Sequence, residues 1–182
     1  NPSDHAVLLP AALPLRNVDR RDLTAFLFLE AAAKFEGLCF QAFSAEVRAW
    51  YDVTGARADF VMGSPDNGTM RTMGWSDPQR LEERGRNLFP AYRFFGNFRQ
   101  NITPVVFDRL GQAKKIRNRI AHDPAIAHEA ITKLAQCLNV PSNGMTMGRL
   151  LSDYPLASPP DQRYFFLYLD AFESCARAFS SF

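Results

Sequence analysis

Leu23-Thr24-Ala25-Phe26-Leu27-Phe28-Leu29-Glu30-Ala31-Ala32-Ala33 decides the fold. The run has no proline and no glycine, is rich in strong helix formers, and continues through Phe35, Leu38, Phe40, Phe43, Val47 and Trp50. Apolar residues fall on more than one helix face, the pattern of a central helix packed on several sides. Asp22 is positioned to cap this helix at Leu23, and Gly37 is a candidate for a kink or a close approach.

Outward from this helix the helical pattern repeats. Thr54 to Ser76 is interrupted by Gly55, Gly63, Ser64-Pro65-Asp66-Asn67-Gly68 and Gly74, and reads as one long irregular connection with room for a short hairpin. Asp77-Pro78 has the cap-plus-proline form of a helix start and predicts a helix to about Leu88. Phe94, Phe95 and Phe98 mark another short apolar segment. Thr103-Pro104 opens a further helix, in which Val106, Leu110, Ala113, Ile116 or Arg117, and Ile120 recur at spacings of three and four. Proline disfavours the α conformation in the residue before it, so Asp123-Pro124 stops this helix near His122 and starts the next, which runs to about Asn139. A short helix around Met147–Leu151 and a final one from Pro159-Pro160-Asp161 to about Ser180 complete an all-α bundle of five or more helices with one long irregular insertion.

The chain has 182 residues, 47% hydrophobic and 22% charged, so a single domain with a real core is expected. Residues 1–19 read as a linker or docking arm and 20–182 as the helical domain. The first residue, Asn1, fits a piece of something longer. Sixteen phenylalanines point to an aromatic-rich core or an apolar interface. Cys39, Cys137 and Cys175 have spacings that suit neither a metal site nor a disulfide framework, and read as buried thiols in a reducing, cytoplasmic setting. No apolar run reaches the roughly 18 residues of a membrane span, and no signal peptide is visible, so no membrane partner is expected.

The net charge of +2 does not by itself announce a nucleic-acid partner. Local clustering must carry that argument, and a basic stretch such as Arg109 to Arg119 can equally be a solvated helix face. Arg117-Asn118-Arg119-Ile120-Ala121-His122 ends a basic stretch that also carries Arg109, Lys114 and Lys115. Asn118 and His122 are four residues apart and share a helix face. Arg117 lies five positions before His122, and its long side chain can bring the guanidinium back toward the imidazole. A helix C-terminus favours a protonated histidine, which can then act as general acid or, deprotonated, as base. Arginine matches two phosphate oxygens, and Asn118 can orient the imidazole or bond the phosphate. Arg109, Lys114, Lys115 and Arg119 form a basic rim on the outward side that would attract a polyanion such as RNA. No carboxylate cluster suits Mg²⁺, and His5, His122 and His128 form no zinc pattern, so no metal and no cofactor are expected. RNA carries its own nucleophile, the 2′-hydroxyl, and a symmetric dimer would bring two copies of His122 to the two ends of one reaction.

With arginine, four residues and histidine at a helix end, and asparagine after the arginine, Ile116–His122 resembles the motif of the HEPN domain family, in the versions found in abortive-infection and toxin-type members. The resemblance implies an all-α fold, a homodimer with the motif at its interface, and metal-independent endoribonuclease activity. Catalytic Arg117, Asn118 and His122 would then serve defence, toxin–antitoxin control or RNA processing, with an antitoxin or regulatory domain as a further partner.

Plainer readings stand beside this one. His122 can simply bond the last helix carbonyls while Arg117 pairs with Asp123 or Glu129. Glu30 or Glu36, in the first helix, can pair with Arg117 and orient it, or face solvent. Tyr154 and Tyr164 can stack on bases or pack in the core. The whole domain can be a non-catalytic dimerisation or docking module of a larger protein, or a DNA-binding helical domain.

Overall fold

The computed structural model describes residues 16–52, 74–121, 128–141, 145–153 and 162–181. Among them are seven α-helices, one 3-10 turn and no β-strand element. The helices are α1 (Asn17–Tyr51), α2 (Pro78–Leu88), α3 (Phe98–Asn101, preceded by the 3-10 turn Phe95–Asn97), α4 (Pro104–Ala121), α5 (His128–Cys137), α6 (Met147–Asp153) and α7 (Tyr164–Phe179). The all-α bundle expected from the sequence is therefore present. The arm before residue 16, the connection over 53–73 with its candidate hairpin, and the Asp123-Pro124 helix start lie outside the described residues, while the final helix begins at Tyr164 after an extended Arg163 rather than at Pro159-Pro160-Asp161.

Helix α1 is 35 residues long, about 52 Å at 1.5 Å per residue, and is the spine of the bundle. It buries one stripe, Phe28, Ala32, Phe35, Cys39, Phe43 and Val47, at spacings of three and four. Helices α4, α6 and α7 all pack against it. Phe35 stacks on Phe172 of α7 at 4.6 Å between ring centroids, and Phe28 meets Tyr168 edge-on at 6.0 Å. The expectation of burial on several sides is corrected: Leu23, Phe26 and Leu27 are 45%, 57% and 47% exposed. Among the described residues, these apolar side chains at the start of α1 are left about half uncovered.

The helix also starts six residues earlier than a cap at Asp22 predicts, and takes residues 17–19 from the expected arm. Its N-cap, Arg16, makes no side-chain cap bond. Tertiary contacts hold the added turn. Arg20 Nη2 and Arg21 Nε donate to the Asp153 carboxylate at 3.2 and 2.7 Å, and Arg163 Nη1 donates to the Asp153 carbonyl at 2.9 Å. A Cβ at Gly148 would overlap the Arg21 carbonyl, so glycine there is what lets α6 lie on α1. Gly37 neither kinks α1 nor permits a close approach: the helix runs through it, and a Cβ there would meet nothing within 4 Å.

Helix α2 packs on the Phe95–Asn101 segment and on α4, and its end is tied to α1 by Tyr51 Oη donating to the Leu88 carbonyl at 2.6 Å. Its start and end match the sequence expectation. Asp77 Oδ1 accepts from Gln79 N at 3.2 Å and Pro78 takes the first helical position, where a missing N–H costs nothing. Before it, Gly74 adopts φ +55° and the turn closes with Asp77 N donating to the Gly74 carbonyl at 2.7 Å. This turn drives Trp75 into the core, edge-on to Phe40 and Phe43. Thr103 caps α4 through its hydroxyl, accepting from Val106 N at 3.4 Å. It does so at φ +70°, a conformation that costs a β-branched residue of order 1–3 kcal/mol. Most phenylalanines are core as expected, but Phe26 and Phe166 are exposed. Cys39 and Cys175 are buried and Cys137 is exposed, so only two of the three thiols fit the buried expectation.

Gly37→Ala should raise stability by about 0.5–1 kcal/mol, read from urea unfolding, because it removes backbone freedom from the unfolded chain and adds no clash. Asp153 gives a pH signature. Burial pushes its carboxyl up, but bonds from Arg21, Ser152 and Arg20 outweigh that and hold it below the ordinary carboxylate range. A depressed carboxyl adds stability that is full above its unfolded value near 4 and is lost as pH falls through the folded one. Asp153→Ala should cost about 1–3 kcal/mol at neutral pH and flatten the acid limb of a stability-versus-pH curve.

Candidate functional site

Ile116 is fully buried, and with Phe107, Leu110 and Ala113 it fixes the rotation of α4 against the core. That rotation brings Arg117 and Asn118 to the edge where α4 meets the middle of α1 and the start of α2. Arg117 Nη1 donates to Asn118 Oδ1 at 3.3 Å, and Nη2 lies 3.5 Å from Glu36 Oε2. The two side chains of that pair are 30% and 25% exposed, so the guanidinium is held but still reaches solvent. Glu36 is thus the α1 acid that meets Arg117, whereas Glu30 faces outward.

One turn earlier, Lys114 Nζ donates to Asp77 Oδ2, and Arg80 Nε approaches the same oxygen at 3.6 Å. Asp77 is buried. One of its oxygens caps α2 while the other gathers two cations. Together Glu36, Gly74, Ser76, Asp77, Arg80, Lys114, Arg117 and Asn118 line a cavity of about 270 Å³.

The expected basic rim divides. Lys114, Arg117 and Asn118 fall within about 100° of arc on α4, and all three line the cavity. Lys115 is exposed and lines a neighbouring hollow of about 340 Å³ with Asp108, Gln112, Leu134 and Cys137. Arg109 is half-buried and its charge is felt by Tyr168 of α7. Burial pushes the Tyr168 hydroxyl up strongly, the neighbouring Tyr164 adds to this, and Arg109 opposes both. Arg119 is half-buried and engaged with neighbours. The four rim residues therefore do not form one face of α4: Lys115 and Arg119, four apart, share a side, while Arg109 and Lys114 lie on others.

His122, with Asp123, lies just past the Ala121 end of α4 and outside the described residues, as do His5 and Tyr154. Tyr164 is core rather than a stacking platform: it is 5% exposed, and its hydroxyl donates to the Leu138 carbonyl at 3.3 Å. Among the described residues no three His, Cys, Asp or Glu side chains gather as a metal site would require. Sequence reasoning missed Ser76, Asp77 and Arg80 as site residues. Asp77-Pro78 was legible as a helix cap, but its second partner, Lys114, lies 37 residues away. No protein-family model, curated protein or solved structure matches the chain.

The two oxygens of Asp77 can be tested separately. Asparagine also caps helices, so Asp77→Asn should keep α2 intact and lose only the attraction to Lys114 and Arg80. Asp77→Ala should cost about 1–2 kcal/mol more than Asp77→Asn, because it removes the cap as well. Urea unfolding of both variants checks the order; equal stabilities would mean that the cap contributes nothing.

Proposed function

We propose that the chain is a metal-independent endoribonuclease of the HEPN type, working as a homodimer. The observation that carries this reading is the state of Arg117. It sits on the last turns of α4, five residues before His122, at the mouth of a polar cavity. Glu36 and Asn118 hold its guanidinium while leaving it partly open to solvent. A fixed, always-charged planar group at such a place is suited to a phosphoryl group.

In the proposed reaction the 2′-hydroxyl of RNA attacks the adjacent phosphorus, and the bond to the 5′-oxygen breaks. His122 takes the proton from the 2′-hydroxyl or gives one to the departing 5′-oxygen, the second copy serving the opposite end. Arg117 stabilises charge on the phosphoryl oxygens and Asn118 orients its neighbours. The products are a 2′,3′-cyclic phosphate, or the 3′-phosphate formed from it, and a 5′-hydroxyl. Lys114, Lys115, Arg109 and Arg119 contribute to attracting the polyanion. Defence, toxin–antitoxin control and RNA processing are the settings such an activity fits, with an antitoxin or regulatory domain as its restraint.

A second reading has its own support. Val18, Leu23, Phe26 and Leu27 leave apolar surface open at the beginning of α1, as an interaction module without catalysis would. No described helix is long and apolar enough to cross a membrane.

Incubation of the protein with RNA in excess EDTA tests the first reading. Cutting should persist, leave cyclic-phosphate ends, and fall by about 10²-fold or more in His122→Ala and Arg117→Ala. Cutting that stops on chelation, or that survives His122→Ala unchanged, refutes the mechanism. Absence of cutting in every preparation, together with a monomer–dimer balance that shifts in Arg117→Ala, favours the interaction module.

A further inference from the structure

We infer that the cavity between α1, the Gly74–Asp77 turn, α2 and α4 is a subsite for one nucleotide of RNA beside the scissile linkage, held through a single phosphate. The identity of the ligand rests on the nuclease reading; the chemistry of the site rests on the cavity alone. Apart from Gly74, every residue lining it carries a polar or charged side chain, so an apolar ligand gains nothing there. Arg80, Lys114 and Arg117 supply three positive charges, while Glu36 and Asp77 supply two negative ones. The balance of one positive charge is the complement of one phosphodiester, not of a di- or triphosphate.

Size agrees with charge. About 270 Å³ lies just below the roughly 300–1,000 Å³ of pockets for drug-sized ligands, which limits the occupant to at most one nucleotide unit. Lys114 is bonded directly to Asp77 and Arg80 has a further neighbour; the cavity's two arginine–carboxylate pairs are longer contacts that an incoming anion can replace. Arg117–Glu36 at 3.5 Å and Arg80–Asp77 at 3.6 Å are both longer than the roughly 2.7–2.9 Å of a charge-assisted hydrogen bond. Glu36 and Asn118 line the same cavity, so a carboxylate acceptor and an amide donor stand where a ribose or a base edge would lie. Arg80 reaches the cavity from α2 rather than α4, so the subsite extends the Arg117 site across a second helix.

Binding, rather than cleavage, tests this. The full chain is titrated with adenosine 3′-monophosphate, adenosine, inorganic phosphate and a 2′-deoxy oligonucleotide that lacks the attacking hydroxyl. The monophosphate and the oligonucleotide should bind, and adenosine should not. Arg80→Glu should weaken both by about tenfold, while Arg86→Glu, on the same helix, leaves them unchanged. Arg80 is 59% exposed at its side chain, so both variants should fold; circular dichroism checks this, and Arg80→Ala replaces Arg80→Glu if it does not. Unaltered affinity in the Arg80 variants, or adenosine binding as tightly as its monophosphate, overturns the subsite. Inorganic phosphate binding without any binding of the oligonucleotide assigns the cavity to free phosphate and overturns the RNA assignment. RNA cleavage by wild type with no monophosphate binding sinks the subsite alone. Binding as expected without cleavage sinks the nuclease reading and leaves the phosphate site standing.

Discussion

The Asp77 carboxylate joins the parts on which the site depends. Through Oδ1 it satisfies an otherwise orphaned N–H at the start of α2. Through Oδ2 it draws Lys114 from α4 and Arg80 from its own helix. A buried acid is costly unless paired and hydrogen-bonded, and here both requirements are met by groups that must lie near the cavity. The Gly74–Asp77 turn supplies the approach, and Trp75 pins that turn to α1 through Phe40 and Phe43. These contacts help hold the start of α2 beside α4, where Arg80 and Arg117 line one cavity.

The architecture was largely legible because it rests on local signals. Asp77-Pro78 and Thr103-Pro104 marked the starts of α2 and α4, and the three-and-four spacing of Leu110, Ala113 and Ile116 identified the buried face of α4. Errors appeared where tertiary contacts outweighed local preference. Asp22 has the better capping chemistry, yet α1 begins at Asn17 because Asp153 holds Arg20 and Arg21 in a helical turn. An apolar residue on a second helix face suggested burial, but nothing among the described residues covers Leu23, Phe26 or Leu27.

The site was legible in part for the same reason. Arg117 and Asn118 are neighbours on one helix, so their sequence spacing already placed them together, and the structure sets both at the cavity; His122 lies outside the described residues. Glu36 was one of two acids on α1 able to meet Arg117, and the rotation of α1 decides between them: its buried stripe turns Glu36 toward α4 and leaves Glu30 in solvent. Asp77 and Arg80 carry no such mark. Their role follows from α2 lying beside α4, a relation between segments that linear spacing does not encode.

The burial of two thiols and the exposure of the third have a practical consequence. Cys39 on α1 and Cys175 on α7 are fully covered, and burial pushes both thiols well above their ordinary value, so neither forms the reactive thiolate while the bundle is closed. Cys137 stands at the surface on α5. A thiol-modifying reagent therefore meets one target in the intact fold and gains the other two when α1 and α7 separate. Native cysteines thus make the chain its own clock for the opening of its central seam, with no engineered label.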